Sequence, residues 1–270
     1  MSDRPRPHPL CRSGAATGAE GAQPVCRLSF LGEGSLRGLG QAPVAPVVTL
    51  ARGKRRGFQR RVLAWYAVNG RDLPWRKTRD PYAILICEIL SHQTQIARVV
   101  PVYETLLSRY PTVQSMARAP LETVTAITDP LGYKIRGRWL HAAALQVADR
   151  GGAFPRTIDG LRELAGVGRY TAGAMMSFAY RRDAPMLDTN IARVLSRHFD
   201  GRNQRPGQAR LWQLAAAVIP KGKAYLMNQG LMDVGALICR ARSPLCDVCP
   251  LRRSCAFRRG SARRSLKRRD

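Results

Sequence analysis

The sequence predicts an all-α protein, and three observations lead to that prediction. The chain has 270 residues, 45% hydrophobic and 23% charged, which is enough to bury a core in one or two domains. From about residue 57 onward, apolar residues recur every three to four positions, as they do on one face of a helix. The alternation of apolar and polar residues that is typical of β-strands is essentially absent.

The first helix is predicted to begin near Gly57, because Phe58, Val62 and Tyr66 share one helical face. It is predicted to end before Pro74, which cannot continue a helix. The same periodicity predicts further helices over residues 81–90, 94–109, 136–149, 170–180, 187–199, 208–218 and 223–239.

Basic residues dominate the charge: 45 Lys and Arg stand against 18 Asp and Glu, a net charge of +27. Such self-repulsion is tolerated mainly by proteins whose partner is a polyanion, so nucleic acid is the first expected partner and an anionic membrane surface the second. No stretch approaches 18 consecutive apolar residues and the first thirty residues lack an apolar signal segment, so we expect neither a membrane span nor secretion. We expect a cytoplasmic, nucleoid-associated monomer.

The two ends of the chain differ in composition from the rest. Residues 1–52 are rich in Pro, Gly, Ala and Arg and show no sustained period, so they are predicted to form a disordered basic arm. Residues 257–270 form a basic tail. That tail either adds contacts to DNA phosphates or only solubilises the protein, and both interpretations remain open.

Four of the seven cysteines crowd into the spacing C-x6-C-x2-C-x5-C, formed by Cys239, Cys246, Cys249 and Cys255. An odd total and this clustering favour an intracellular metal site over a disulfide framework. Four thiolates suit either zinc or a cubane iron–sulfur cluster, and the ligand type alone does not choose between them. Structural zinc sites commonly pair two C-x2-C knuckles, whereas this segment has one.

A two-glycine turn, with Gly166 and Gly168 followed by Arg169, joins two helical patterns. Glycines permit a positive φ and a close approach of backbones. The helix that follows begins with free N–H groups, which can bind an anion such as a phosphate. A plain helix–helix turn is the commoner meaning of this pattern, and the pattern alone leaves both meanings open.

Two acidic residues stand at positions that demand an explanation. Glu88 interrupts an otherwise apolar helical run, and a carboxyl buried there must be paired, hydrogen-bonded or protonated. Asp188 precedes another apolar helix, where capping the helix is the commoner role. Each residue is therefore a candidate for either a structural or a catalytic role.

The cysteine spacing and its lead-in, Met227-Asn-Gln-Gly-Leu-Met-Asp233-Val-Gly-Ala-Leu-Ile-Cys239, resemble the [4Fe–4S] loop of the endonuclease III and MutY group of DNA glycosylases. The resemblance covers residues 57–256. It implies a six-helix barrel domain over 80–187 with a helix-hairpin-helix, and a second domain of 57–79 plus 188–256 that carries the cluster. An active-site cleft between the two domains and double-stranded DNA as the partner are implied as well.

The resemblance assigns DNA contacts to five residues. Gly166, Gly168 and Arg169 would hold a DNA phosphate, although Ala165 stands where the family usually has Pro. Gln93 and Thr94, at the start of a helix, would insert into the duplex beside the flipped base. Ser91-His92 replaces the family's usual Leu-Gln just before them, which bears on how the opposite strand is wedged.

The resemblance also implies the chemistry. Glu88 would protonate the departing purine and Asp188 would stabilise the sugar as the glycosidic bond breaks, a division of labour familiar from glycosidases. Tyr170 occupies the position where bifunctional members carry a Lys, so no amine nucleophile is available there. We therefore expect a monofunctional enzyme that hydrolyses adenine from a mispair with guanine or 8-oxoguanine, without efficient β-elimination.

Two alternatives remain. Thymine/uracil–guanine mismatch glycosylases of the superfamily also carry Tyr at the position of Tyr170, and Lys134 replaces a Tyr of the adenine enzymes. A non-catalytic DNA-binding protein is the third interpretation, but binding alone would not need the two acids and Tyr170 together. The segments Gln93-Thr-Gln95, Asn228-Gln229 and Leu73-Pro-Trp75 favour the adenine branch.

Overall fold

The structure, a computed structural model, describes residues 48–201 and 207–260. Within these two ranges the regular structure is entirely helical and no residue lies in a strand, which confirms the all-α prediction. The described α-helices are α1 (Arg52–Asn69), α2 (Pro81–Leu90), α3 (Ile96–Arg109), α4 (Val113–Ala117), α5 (Leu121–Thr128), α6 (Ile135–Ala148), α7 (Ile158–Arg162), α8 (Arg169–Phe178), α9 (Thr189–Leu195), α10 (Gln208–Ala217) and α11 (Ala224–Asp233).

The N-terminal boundary differs from the prediction. Helix α1 begins at Arg52 rather than near Gly57. Its first five residues are all exposed, so the spacing of apolar residues gives no sign that they are helical. Val48 and Leu50, within the predicted disordered arm, pack partly against the core. The rest of the predicted arm, residues 1–47, and the predicted tail beyond residue 260 lie outside the described residues.

Helix α1 ends before Pro74, as predicted, but the proline is not the cause. The helix stops at Asn69, and the backbone becomes extended at Gly70. Pro74 instead opens a short 3-10 turn, Pro74–Arg76.

The longer helices lie close to their predicted positions, with informative differences. Helix α2 has the predicted bounds, whereas α3 begins at Ile96, two residues later than expected. The helices predicted to reach residues 199 and 239 change to π turns, Ser196–Asp200 and Val234–Ile238, after α9 and α11. Helices α4, α5 and α7 were missed because five to eight residues are too few to show a period.

Helix α2 is the central element of the described fold. Asp80 caps it, its two carboxylate oxygens accepting the backbone N–H groups of Tyr82 (3.0 Å) and Ala83 (3.3 Å). Every residue from Tyr82 to Leu90 is buried, and α2 contacts α3, α6 and α8. Its single charged residue, Glu88, is thereby held inside the protein.

Helix α11 packs against α1, α8 and α9. Inside this packing, the Asn228 amide donates hydrogen bonds to the Ser177 hydroxyl and the Ala184 carbonyl, both at 3.0 Å. These contacts gather the end of α2, the starts of α8 and α9, and the end of α11 around one cleft. No helix among the described residues is long and apolar enough to cross a membrane.

Candidate active site

A cleft of about 630 Å³ lies where these helix ends meet. Glu88 from α2, Tyr170 from α8 and Asp188 from the cap of α9 all line it. The structure thus brings together three residues that the sequence separates by up to a hundred positions. Gln93 and Thr94, from the α2–α3 turn, line the same cleft.

Glu88 is 5% exposed, and two groups interact with its carboxyl. The Tyr170 hydroxyl lies near it, and the Cys87 thiol lies 3.9 Å from Oε1. Burial raises the pKa of Glu88 to about 7, and the negative charge of Asp188 adds to the rise, against the lowering effect of these two polar groups. A carboxyl in this state can give up or take a proton near neutral pH.

Tyr170 lies in the first turn of α8 and is half-buried. Burial raises the pKa of its hydroxyl well above the ordinary value, and the nearby charges of Glu88 and Asp188 raise it further. The hydroxyl therefore keeps its proton and acts as a hydrogen-bond donor. The side chain places a neutral polar group beside the Glu88 carboxyl without offering an amine nucleophile.

Asp188 caps α9, the structural role that its position suggested, and it also lines the cleft. Its Oδ1 accepts the Ile191 backbone N–H at 2.7 Å, and its Oδ2 accepts the Asn190 amide at 2.9 Å. Burial raises the pKa of Asp188, while these hydrogen bonds oppose the rise by stabilising the charged form. The carboxylate is held in a fixed orientation.

The support of Asp188 continues toward the cysteine segment. The Asn190 side-chain oxygen accepts a hydrogen bond from the Arg193 guanidinium at 2.6 Å. That guanidinium also donates to the carbonyls of Cys239 (2.6 Å) and Gly235 (2.7 Å). A continuous set of hydrogen bonds therefore joins the cleft carboxylate to the first cysteine of the motif.

The structure adds a positively charged residue that the sequence analysis missed. Arg71 lines the cleft, and Asp233, which is fully buried, holds it in place. The Asp233 carboxylate accepts from the Arg71 Nε at 2.7 Å and its backbone N–H at 3.0 Å, and from both terminal nitrogens of Arg76 at 2.8 and 2.9 Å. No local signal could have found Arg71, because its partner lies 162 residues away.

The α2–α3 turn differs from the prediction that a helix begins at residue 94. Residues 91–95 form a non-helical turn, and Gln93 adopts a left-handed backbone with φ of 52°. The Gln93 side chain is exposed at the edge of the cleft. A non-glycine residue in this region is uncommon and marks a turn whose shape is imposed by its surroundings.

The two-glycine turn joins α7 to α8, and its two glycines serve different needs. Gly166 has a φ of +73°, and a Cβ there would lie 2.8 Å from the Cβ of Trp139. Gly168 has an extended φ of −85° and open space around it, so the positive φ expected of the pair occurs only at Gly166. The exposed Arg169 follows, its guanidinium carbon 4.0 Å from the ring centre of Trp212.

Several residues that the sequence suggested as determinants of the substrate lie away from the cleft. Asn228, Leu73 and Trp75 belong to the core, where Trp75 packs edge-on against Tyr103. Lys134 lies beside a separate surface cavity with Leu121 and Arg138. Of the segments cited for the adenine branch, Gln93-Thr-Gln95 is the one that lines the cleft.

The four cysteines of the motif line one small cavity. Arg197, Arg252 and Arg258 line it with them, so positive charge surrounds the thiols. Within the described residues, no three Cys, His, Asp or Glu side chains come close enough to hold a single metal ion. The four thiols therefore line a cavity and do not converge on a single metal-ion position.

Comparison with known proteins agrees with this geometry. Residues 86–217 match the family described as HhH-GPD superfamily base excision DNA repair protein. The chain is 38% identical over 211 residues to an adenine DNA glycosylase of Rattus norvegicus, covering 73% of this chain and 41% of that protein. It is 35% identical over 208 residues to a thymine/uracil-DNA glycosylase of Methanothermobacter thermautotrophicus, covering 76% of this chain and 94% of that protein.

Among solved structures, a trapped endonuclease III–DNA covalent intermediate is similar, with a TM-score of 0.69 and 26% identity over 79% of this chain and 100% of that one.

The chain belongs to the HhH-GPD superfamily of base excision DNA repair proteins. This confirms the predicted class, a helix-hairpin-helix DNA glycosylase, and the similarity to MutY-type proteins. The solved endonuclease III structure is itself a complex with DNA. Relatives named for different bases occur together, so membership alone does not fix the base released.

Proposed function

We propose that this protein is a monofunctional DNA glycosylase that hydrolyses adenine from a mispair with guanine or 8-oxoguanine. One observation carries the choice of adenine: the Glu88 carboxyl lies in the cleft with a pKa of about 7. Adenine leaves deoxyribose readily only when one of its ring nitrogens takes up a proton. A carboxyl that is partly protonated at neutral pH can supply that proton.

Asp188 supplies the second requirement of this reaction. As the bond between base and sugar breaks, positive charge develops on the sugar ring. The Asp188 carboxylate, held by the Ile191 N–H and the Asn190 amide, offers a fixed negative charge in the same cleft. Because its orientation is set before substrate binds, little reorganisation is needed as the charge develops.

Tyr170 supports a purely hydrolytic outcome. Its hydroxyl retains its proton, and a tyrosine has no amine to form a Schiff base with the sugar. We infer that the product is an abasic site on an intact strand.

DNA is held, in this proposal, at two places. The N–H groups at the start of α8, after the open backbone of Gly168, would bind a phosphate, with Arg169 beside them. Gln93 and Thr94 would enter the duplex where the target base has left the stack, which costs a few kcal/mol that the phosphate contacts must offset. The protein would act as a monomer. Its chain would be divided into the barrel domain and the cluster domain that the resemblance implies.

We propose that Cys239, Cys246, Cys249 and Cys255 hold a [4Fe–4S] cluster. The four side chains surround one cavity, and the three arginines around it complement the negative charge of a four-thiolate cluster. When bound, the cluster would cross-link residues 239–255 and would not take part in breaking the glycosidic bond. The bond from Arg193 to the Cys239 carbonyl places this segment in contact with the support of Asp188.

A second candidate is release of thymine or uracil from a mispair with guanine. It is favoured by the 35% identity to the thymine/uracil-DNA glycosylase, which this chain matches over 94% of that protein's length. Under that alternative, Glu88 would recognise the base by hydrogen bonding rather than protonate it.

The test is a single-turnover assay of base release on four duplexes: A opposite 8-oxoguanine, A opposite G, T opposite G and U opposite G. We expect adenine release from the first two and none from the others. Release of thymine or uracil alone would replace the proposal by the second candidate. Asp188→Asn, prepared in parallel, controls for contaminating glycosylases, because it should release nothing.

A further inference from the structure

A buried arginine lies beneath the α2–α3 turn. Arg136, in the first turn of α6, is 1% exposed, yet its guanidinium reaches three oxygen acceptors. It donates to the His92 carbonyl and to the Thr94 hydroxyl, on either side of Gln93. It also donates to the Leu131 carbonyl at 3.3 Å.

Burying the charge of Arg136 lowers the stability of the fold, so stability does not explain its position. Among the described residues, no carboxylate forms an ion pair with it, so its charge is met by backbone and hydroxyl oxygens and by the Tyr133 ring, whose centre lies 5.6 Å from the guanidinium carbon. A second cation, Arg98, donates to the neighbouring Pro130 carbonyl at 2.5 Å, and its charge opposes that of Arg136. A buried charge without a counter-ion is retained where its hydrogen bonds perform a task.

The turn above Arg136 needs an external support. Gln93 is held at a φ of 52°, a left-handed backbone that is strained for an L residue. In the turn itself, the Thr94 hydroxyl bonds only to the His92 carbonyl, at 3.2 Å, and the Thr94 N–H reaches the Ser91 carbonyl at 3.4 Å. One guanidinium nitrogen of Arg136, Nη2, donates to the residues immediately before and after Gln93, and the other, Nη1, donates to Leu131.

We propose that Arg136 is a positioning residue that holds residues 92–94 in the shape required to insert Gln93 into the duplex. The inference rests on the proposed function, because it assumes that the turn enters DNA as the base leaves the stack. A lysine could not reproduce this arrangement, since Arg136 uses two nitrogens, Nη2 for residues 92 and 94 and Nη1 for residue 131, and a lysine has one. The role is to keep the vacated space filled, not to touch the reacting atoms.

The test compares two substrates that differ in the need for insertion. One carries the target adenine paired opposite 8-oxoguanine; the other carries the same adenine opposite an abasic-site analogue, where no base pair must be opened. We expect Arg136→Lys and Thr94→Val to slow single-turnover release at least about tenfold on the paired substrate and less than about threefold on the unpaired one. Thr94→Ser, which keeps the hydroxyl, should restore the wild-type ratio.

The controls separate positioning from general destabilisation. Arg150→Lys, just beyond the other end of α6 in an exposed pair with Glu163, should leave both rates unchanged. Equal slowing of Arg136→Lys on both substrates, or no slowing on either, would overturn the proposal, and so would failure of Thr94→Ser to restore the ratio.

A fluorescence measurement tests the role of Arg136 without depending on which base is released. 2-Aminopurine placed beside a G mispair brightens when its neighbour is unstacked, whether or not a base is released. Wild-type protein should brighten it on binding and Arg136→Lys should not, at protein concentrations that saturate both. If the wild type releases no base but brightens the probe, the proposed function fails while the role of Arg136 stands; equal brightening by both proteins rejects that role.

Discussion

The Tyr170 hydroxyl lies near the Glu88 carboxyl, where the start of α8 packs against the last turn of α2. Asp188 lies near enough for its charge to raise the pKa of both groups. The two acids nevertheless have different surroundings: Glu88 is deeply buried, whereas Asp188 accepts a backbone N–H and an amide. Their environments favour one protonated and one ionised carboxyl, the pair that hydrolysis of a glycosidic bond uses.

The rate of base release should depend on pH through Glu88. Its pKa of about 7 means that the acid form, which would donate the proton in the proposed reaction, is depleted as pH rises through 7. We expect single-turnover release to fall about tenfold per pH unit well above that point. The measurement is a rate profile from pH 5.5 to 9 at saturating enzyme. A rate that climbs with pH through 7 would show that Glu88 acts in its ionised form.

Glu88 should also make the stability of the fold depend on pH. Its pKa is higher in the folded state than in the unfolded chain, so the stability it contributes is fully present below the unfolded value and is lost as pH rises through about 7. Glu88→Gln should therefore be more stable than wild type at pH 8, by on the order of 2 kcal/mol, and nearly equal at pH 5. Urea unfolding at both pH values measures this, and an equal difference at the two would contradict it.

The two glycines of the hairpin should respond differently to the same substitution. Gly166→Ala places a Cβ 2.8 Å from the Trp139 Cβ at a positive φ, and we expect a loss of about 2 kcal/mol or more. Gly168→Ala meets open space at an extended φ and should cost less than about 1 kcal/mol, through the weaker helix cap. Matched urea unfolding curves decide, and equal losses would show that the turn is not anchored against Trp139.

Tyr170 should prevent covalent trapping of the enzyme on DNA. Because no amine stands at this position, borohydride should give no covalent adduct with the wild-type protein during base release. Tyr170→Lys supplies an amine beside the sugar and serves as the positive control, with an adduct and a nicked strand expected. A wild-type adduct in good yield would mean that another amine attacks the sugar and that the enzyme is bifunctional.

How far the sequence predicts this structure depends on how local each cause is. The bounds of α2 were predictable, because Asp80 and Pro81 start the helix and an unbroken apolar run follows. The shape of the α2–α3 turn was not, because it depends on Arg136, more than forty residues later in the chain. The spacing of apolar residues likewise did not predict the π turns that follow α9 and α11.

The candidate site shows the same division. Glu88 stood out as an acid in an apolar helix, and Asp188 as an acid at a helix start, so both could be proposed from neighbouring residues. Arg71 could not, since the buried Asp233 that orients it lies on α11. Chemistry that depends on distant partners becomes visible only in the folded chain.

The central claim is that Glu88 protonates a departing adenine. Its most direct test is single-turnover adenine release from a duplex with A opposite 8-oxoguanine, by wild type and by Glu88→Gln, with duplex affinity measured alongside. We predict release by the wild type, a loss of at least about a hundredfold in the variant, and little change in affinity. Wild-type rates in the variant, or a wild type that releases only thymine or uracil, would contradict the claim.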